Sequence, residues 1–195
     1  MNQPSFVFLL SMICCGHLSS QTPGPPTVSS CERSVKALLA TPNRSAFDTI
    51  SESGKTACWE IFESSNATLN ALEHLVEQGN RWAAEYLSKH LKQLDGGNLE
   101  DALVALGQFA DHDMERLLWF AKNGLLSKQQ LSDALTMLPL SLSDNPKAQL
   151  SLLGKRKNSL LQITPKELTK QKGEALSAID AFAAEIRSKN PGSKD

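Results

Sequence analysis

Thr68-Leu69-Asn70-Ala71-Leu72-Glu73-His74-Leu75 is a helical phrase that returns as Leu99-Glu100-Asp101-Ala102-Leu103-Val104-Ala105-Leu106 and again as Leu131-Ser132-Asp133-Ala134-Leu135-Thr136-Met137-Leu138. Each copy carries Ala-Leu-x-x-Leu in register, and the copies begin at 68, 99 and 131, which are 31 and then 32 residues apart. Apolar residues three and four apart share one face of an α-helix. One helical hairpin cannot bury such a face alone, so a period of this length points to hairpins leaning on one another. The expected fold is all-α.

The flanking sequence supplies the helix ends. Leu69, Leu72, Leu75 and Val76 form a stripe that stops at Gly79, and Asn80 can cap a partner helix with Ala83, Leu87, Leu91 and Leu94 inward. After the break at Asp95-Gly96-Gly97, Asn98 can cap a helix that buries Leu99, Ala102, Leu103 and Leu106. Asp111 then starts a partner carrying Met114, Leu117, Leu118 and Ala121, stopped by Asn123-Gly124. Ser127-Lys128-Gln129-Gln130 fits a capping box for the third copy, which ends at Pro139, and Asn145-Pro146 opens its partner. Thr164-Pro165-Lys166-Glu167 reads as a second capping box, opening a last helix up to Lys189 with a kink expected at Gly173.

These consecutive antiparallel pairs, over roughly residues 66–162, resemble a short α-solenoid of the HEAT-like kind. Tetratricopeptide landmarks do not line up. The alternative is an irregular helical bundle in which the phrase is a rhyme within an Ala/Leu-rich chain. The resemblance implies a binding scaffold rather than an enzyme.

A chain of 195 residues with 41% hydrophobic content can build one core, and 6% aromatics suit helix packing better than a β-sandwich. The net charge of −1 gives no support to a nucleic-acid or anionic-membrane binder, which would be strongly basic.

Residues 1–20 read as an export signal. Phe6 to Ile13 is apolar but too short to span a bilayer, and small residues follow at Gly16, Ser19 and Ser20. Cleavage is expected after Ser20, with Gly16 the alternative; acylation at Cys14 or Cys15 fits less well because Ile13 and Cys14 precede them where a small residue is usual. Residues 21–30, with Pro23, Pro25 and Pro26, form a stiff lead to a single domain over 31–189, and 190–195 is a tail. Cys31 to Ala40 reads as the first helix and Arg44 to Ser64 as two short ones tied by a bridge between Cys31 and Cys58. With two cysteines left after export, a single disulfide is the simplest outcome, two separate buried thiols the alternative. No Cys-x-x-Cys spacing suggests a zinc cage or redox centre.

Chemistry-bearing residues cluster at Asp111-His112-Asp113 with Glu115. Adjacent residues on a helix diverge, so acidic capping of a helix start is the simpler reading and a metal-assisted hydrolase the alternative. His74 with Glu77, and His90, could assemble an acid/base pair, yet no His-Glu-x-x-His, Gly-x-Ser-x-Gly or phosphate loop appears. Neither a metal nor another cofactor is expected.

Charge is segregated along the chain. Residues 95–115 hold six acids and no Lys or Arg, whereas residues 147–172 hold Lys147, Lys155, Arg156, Lys157, Lys166, Lys170 and Lys172 against Glu167 alone. Opposite fields of that size can steer a charged partner. At 100° per residue Trp119 falls opposite the stripe of Leu118 and Ala121, and Trp82 and Tyr86 flank that of Ala83 and Leu87. An outward Trp or Tyr is an interface anchor; a stacked array would instead bury these rings against the next pair.

The function expected from the sequence is an exported, non-catalytic interaction module, inhibitor-like or immunity-type. It would meet a charged protein partner through Trp82, Tyr86, Trp119, Asp111 and Asp113. An envelope assembly or lipid-binding component is a further alternative, favoured by an acylated Cys15.

Overall fold

The computed structural model describes residues 28–52 and 58–191, and every regular element among them is helical. The expected export signal, its expected cleavage after Ser20 and Cys15 lie outside the described residues, as does residue 192 onward of the tail. The elements are α1 (Val28–Ala40), α2 (Arg44–Glu52), α3 (Trp59–Glu63), α4 (Asn66–Glu77), α5 (Arg81–His90), α6 (Gly96–Lys122), α7 (Lys128–Thr136), α8 (Pro146–Gln162) and α9 (Thr169–Lys189).

Helix α1 begins ahead of Cys31, so Val28, Ser29 and Ser30 belong to the helix rather than to the proline-rich lead. Cys31 and Cys58 are bonded, with Cα atoms 5.0 Å apart. The bridge joins α1 to the residue preceding α3; it does not tie α2 to α3, as the sequence suggested.

Local signals set most other boundaries. Ser65 Oγ accepts from the Thr68 N–H and Asn80 Oδ1 from Trp82 and Ala83, so α4 and α5 each start on a side-chain cap. Between them Gly79 takes φ +82°, letting Gly79 and Asn80 donate back to Val76 and Leu75 carbonyls. Gly124 does the same after α6, with φ +76° and Leu125 donating to Phe120. The Ser127/Gln130 capping box of α7 and the Asn145 cap of α8, with Pro146 in its first turn, form as expected.

Later in the chain two boundaries and one expected kink differ from the sequence reading. Helix α6 starts at Gly96 rather than after Asn98. The Thr164 capping box gives way to a 3-10 turn over Lys166–Leu168, and α9 starts at Thr169. Helix α9 also runs on through Gly173, where one missing side chain does not outweigh the surrounding helix formers.

Helix α6 contains the two expected helices joined at a corner. Asp113 leaves helical geometry (φ −144°, ψ 72°), and the rings of Phe109 and Phe120 stack with centroids 5.9 Å apart. Residues 11 apart in a straight helix would be separated by roughly 16 Å along the axis, so the chain folds back sharply at Asp113. The two arms act as a hairpin without a loop.

Helix α6 is the centre of the molecule. It packs against α4 and α5 on one side and α7 and α8 on the other; α9 covers α7 and α8, and α1 to α3 close over α4 and α5. The middle copy of the phrase is therefore the most enclosed, with Ala102, Leu103 and Leu106 all buried, whereas Leu75 and Leu138 of the outer copies are half-buried. This packing suits a bundle or a short helical repeat.

Candidate functional site

The three adjacent residues Asp111, His112 and Asp113 go to three different partners. The Asp111 carboxylate takes Arg156 Nε on one oxygen at 2.9 Å and Nη2 on the other at 3.1 Å. His112 Nε2 lies 3.0 Å from the Glu77 backbone oxygen, which can only accept, so this nitrogen donates. Asp113 Oδ1 accepts from the Arg116 N–H at 2.9 Å and so caps the second arm of α6. The acidic-capping reading applies to Asp113 and is corrected for Asp111, a partly exposed carboxylate that pairs with the buried Arg156. Among the described residues no group of three His, Cys, Asp or Glu is placed to hold a metal ion.

Arg156 is the centre of that arrangement and is buried. Besides Asp111, its Nη1 donates to Leu135 O at 2.9 Å and its Nη2 to Gly107 O at 2.7 Å. The Leu135 carbonyl lies in the last turn of α7, where no intrahelical donor exists, and a cation suits that negative end of the helix dipole. One guanidinium thus ties α6, α7 and α8 together through four bonds. Gly107 makes room for it: a Cβ there would meet Ala134 O at 2.2 Å and Arg156 Nη2 at 3.2 Å.

The basic segment is accordingly less basic at the surface than in the sequence. Arg156 is internal, Lys157 pairs with Asp180 at 2.6 Å, and Lys172 donates to the Leu161 and Ile163 carbonyls at the end of α8. Lys147, Lys155, Lys166 and Lys170 stay exposed.

Of the three aromatic candidates, Tyr86 is withdrawn from the surface. It is buried among Phe47, Trp59, Phe62 and His90, with burial pushing its phenol above the usual range. The cause is that α2 and α3 cover the second face of α5, the structural use a stacked array makes of such a face. Trp82 is half-buried, with Arg81 Cζ 4.1 Å and Arg44 Cζ 5.0 Å from its ring centroid. His90 stacks on Trp59 at 4.5 Å with 8° between the planes. Burial lowers its pKa most, and the nearby Lys89 lowers it further against the raising effects of Gln93 and Glu63. His74 instead contacts Glu77 and Gln78, so His74 and His90 sit in separate environments.

Trp119 stays at the surface, half-buried, with Lys122 Nζ 4.2 Å from its ring centroid. It lines a shallow hollow of about 340 Å³ with Asp113 at the corner, Glu115 and Arg116 on the second arm of α6, and Asn123 just past its end. The structure therefore brings Trp119 and Asp113 into one surface and leaves Tyr86, Trp82 and Asp111 elsewhere.

Sequence reasoning missed Arg156 as a core residue although its position announced it: Leu150, Leu153, Arg156 and Leu160 follow helical spacing, so the charge sits in an apolar stripe. Glu73, among Leu69, Leu72 and Val76, carries the same signal and is buried. Among the described residues no helix is long and apolar enough to cross a membrane. No known family model, curated protein or solved structure matches the chain.

Proposed function

We propose that this protein is an exported, non-catalytic helical module that recognises another protein, in the manner of an inhibitor that covers its target, through the second arm of α6. The hollow beside Trp119 carries the reading. A half-buried surface Trp with Arg116 one turn away is the residue pair in which interface energy concentrates, and acids and bases within one turn favour a partner of complementary mixed charge. The Cys31–Cys58 bond supports an oxidising compartment. Non-catalytic action is supported by the bonding of Asp111, His112 and Asp113, each engaged by the fold.

The experiment is capture of partners by the mature protein from the envelope and secreted fractions of the cells that make it, at low and high salt. Trp119→Ala and, separately, Arg116→Glu are compared with the parent after matching their melting curves. A partner held by the parent, weakened by salt and lost with both variants supports the proposal. Identical partners for all three proteins would sink it.

A further inference from the structure

Glu73 lies on the inner stripe of α4, four residues after Leu69 and three before Val76, and is 7% exposed. Its Oε1 has no hydrogen-bond partner. The charges that bear on it are both carboxylates: Asp101 from α6 and Glu77 one turn further along α4. Glu77 is itself engaged, its Oε1 accepting from Gln108 Nε2 of α6 at 2.9 Å and its Oε2 3.5 Å from His74 Nδ1. The other helices packed on α4 direct their charges elsewhere. On α5, Lys89 pairs with Glu85 and Arg81 lies over Trp82; on α3, Glu63 accepts from Trp59 Nε1 and Glu60 is exposed; on α1, Glu32, Arg33 and Lys36 are exposed. The seam between α4 and α6 therefore gathers three acids, one of them buried with an idle oxygen. With no metal-ligand set converging among the described residues, a proton is the neutralising ion that this geometry favours.

We propose that the α4–α6 seam at Glu73 is a pH-sensitive latch, closed while Glu73 is a neutral carboxylic acid and loosened when it ionises between Asp101 and Glu77. Burial, then Asp101, then Glu77 push the Glu73 pKa up to about 7 from 4.5. A raised value stabilises the folded state at low pH. That contribution is complete below 4.5 and is lost as pH rises from there through about 7, with no further loss above. The seam reaches the corner of α6 one turn further along α4, where Gln108 and His112, both just ahead of Asp113, bond to Glu77. Alkalinisation across neutrality thus loosens the α4 contact of the arm that leads to Trp119.

The test uses the full chain. Carboxyl-carbon NMR across about pH 4 to pH 9 reads the Glu73 midpoint directly, and hydrogen exchange of α4 and α6 amides, corrected for intrinsic rates, reads seam opening. Expected are a Glu73 midpoint near 7, an opening equilibrium that rises by up to about tenfold per pH unit below that midpoint, and a flat profile for Glu73→Gln. Asp101→Asn should lower the Glu73 midpoint. A Glu73 carboxyl titrating in the ordinary carboxylate range, or a Glu73→Gln variant keeping the parent's pH profile, overturns the latch. If Glu73→Gln does not fold, the parent's titration decides alone.

Discussion

Around α5, rings pack on rings. Phe47, Trp59, Phe62, Tyr86 and His90 interlock with centroids between 4.5 and 6.1 Å apart, and a disulfide closes the layer. Around α8 there is one guanidinium bonded to a carboxylate and two carbonyls, while α7, α8 and α9 contain a single aromatic residue, Phe182. The ring cluster draws on buried area, which is non-directional and survives small shifts. The guanidinium draws on directed bonds from a buried side chain to a partly exposed carboxylate and two carbonyls, where the intact set adds little net stability but a broken one leaves orphaned polar groups. Helices can thus be held by area or by geometry, and the two should fail differently.

The sharpest way to break that comparison is Arg156→Met, which fills much of the space but leaves Asp111 and the Gly107 and Leu135 carbonyls without their donor. A loss of about 3–5 kcal/mol is expected in urea unfolding, with α7 and α8 amides exchanging first. A loss below about 1 kcal/mol would show that the bonds are replaced by water at no cost.

Reducing the disulfide, or replacing Cys31 and Cys58 by Ser, comes next. Its sequence separation of 27 residues implies about 3.5 kcal/mol from the entropy of the unfolded chain. Exchange should quicken in α1 to α3 and leave the Arg156 region unchanged. Equal acceleration in both regions would show one cooperative unit and remove the distinction drawn above.

Gly107→Ala tests how tightly geometry is held at the Arg156 side. Alanine favours helix by about 1 kcal/mol, yet its Cβ would meet the Ala134 carbonyl at 2.2 Å, so a net loss of about 1–3 kcal/mol is expected from overpacking. Gly173→Ala is the control with the smallest effect. Nothing lies within 4 Å of the added carbon and the backbone is helical, so thermal melts should show a gain of about 0.5–1 kcal/mol.

Much of this was legible in local signals. Asn80, Ser127 and Asn145 are caps because a short polar side chain before an apolar stripe satisfies free amides, and Gly79 and Gly124 end helices because only glycine takes their positive φ without strain. The side of α5 that meets α2 and α3 was not legible, because it depends on contacts distant in sequence; hence Tyr86 read as a surface ring. Arg156 was masked by its neighbours, since Lys155 and Lys157 make the triplet look like one solvated run. Its spacing from Leu153 and Leu160 is the stronger clue. On the candidate site, the 100° argument placed Trp119 at the surface, but it could not say that Asp111 pairs with Arg156 while Asp113 caps the second arm of α6.

The corner at Asp113 contains neither glycine nor proline. Within residues 96–122 the Asp113 cap on Arg116 and the Phe109–Phe120 stack favour the bend, and it is held from outside by Asp111 meeting Arg156, 45 residues further on, and by His112 meeting Glu77. During synthesis the first arm and the second arm are finished before Arg156 exists, and in that interval a continuous straight rod is open to them. Two chains caught in the straight form could exchange their halves across a common hinge and close each other's cores. Concentration during folding would then set how often such an exchange occurs.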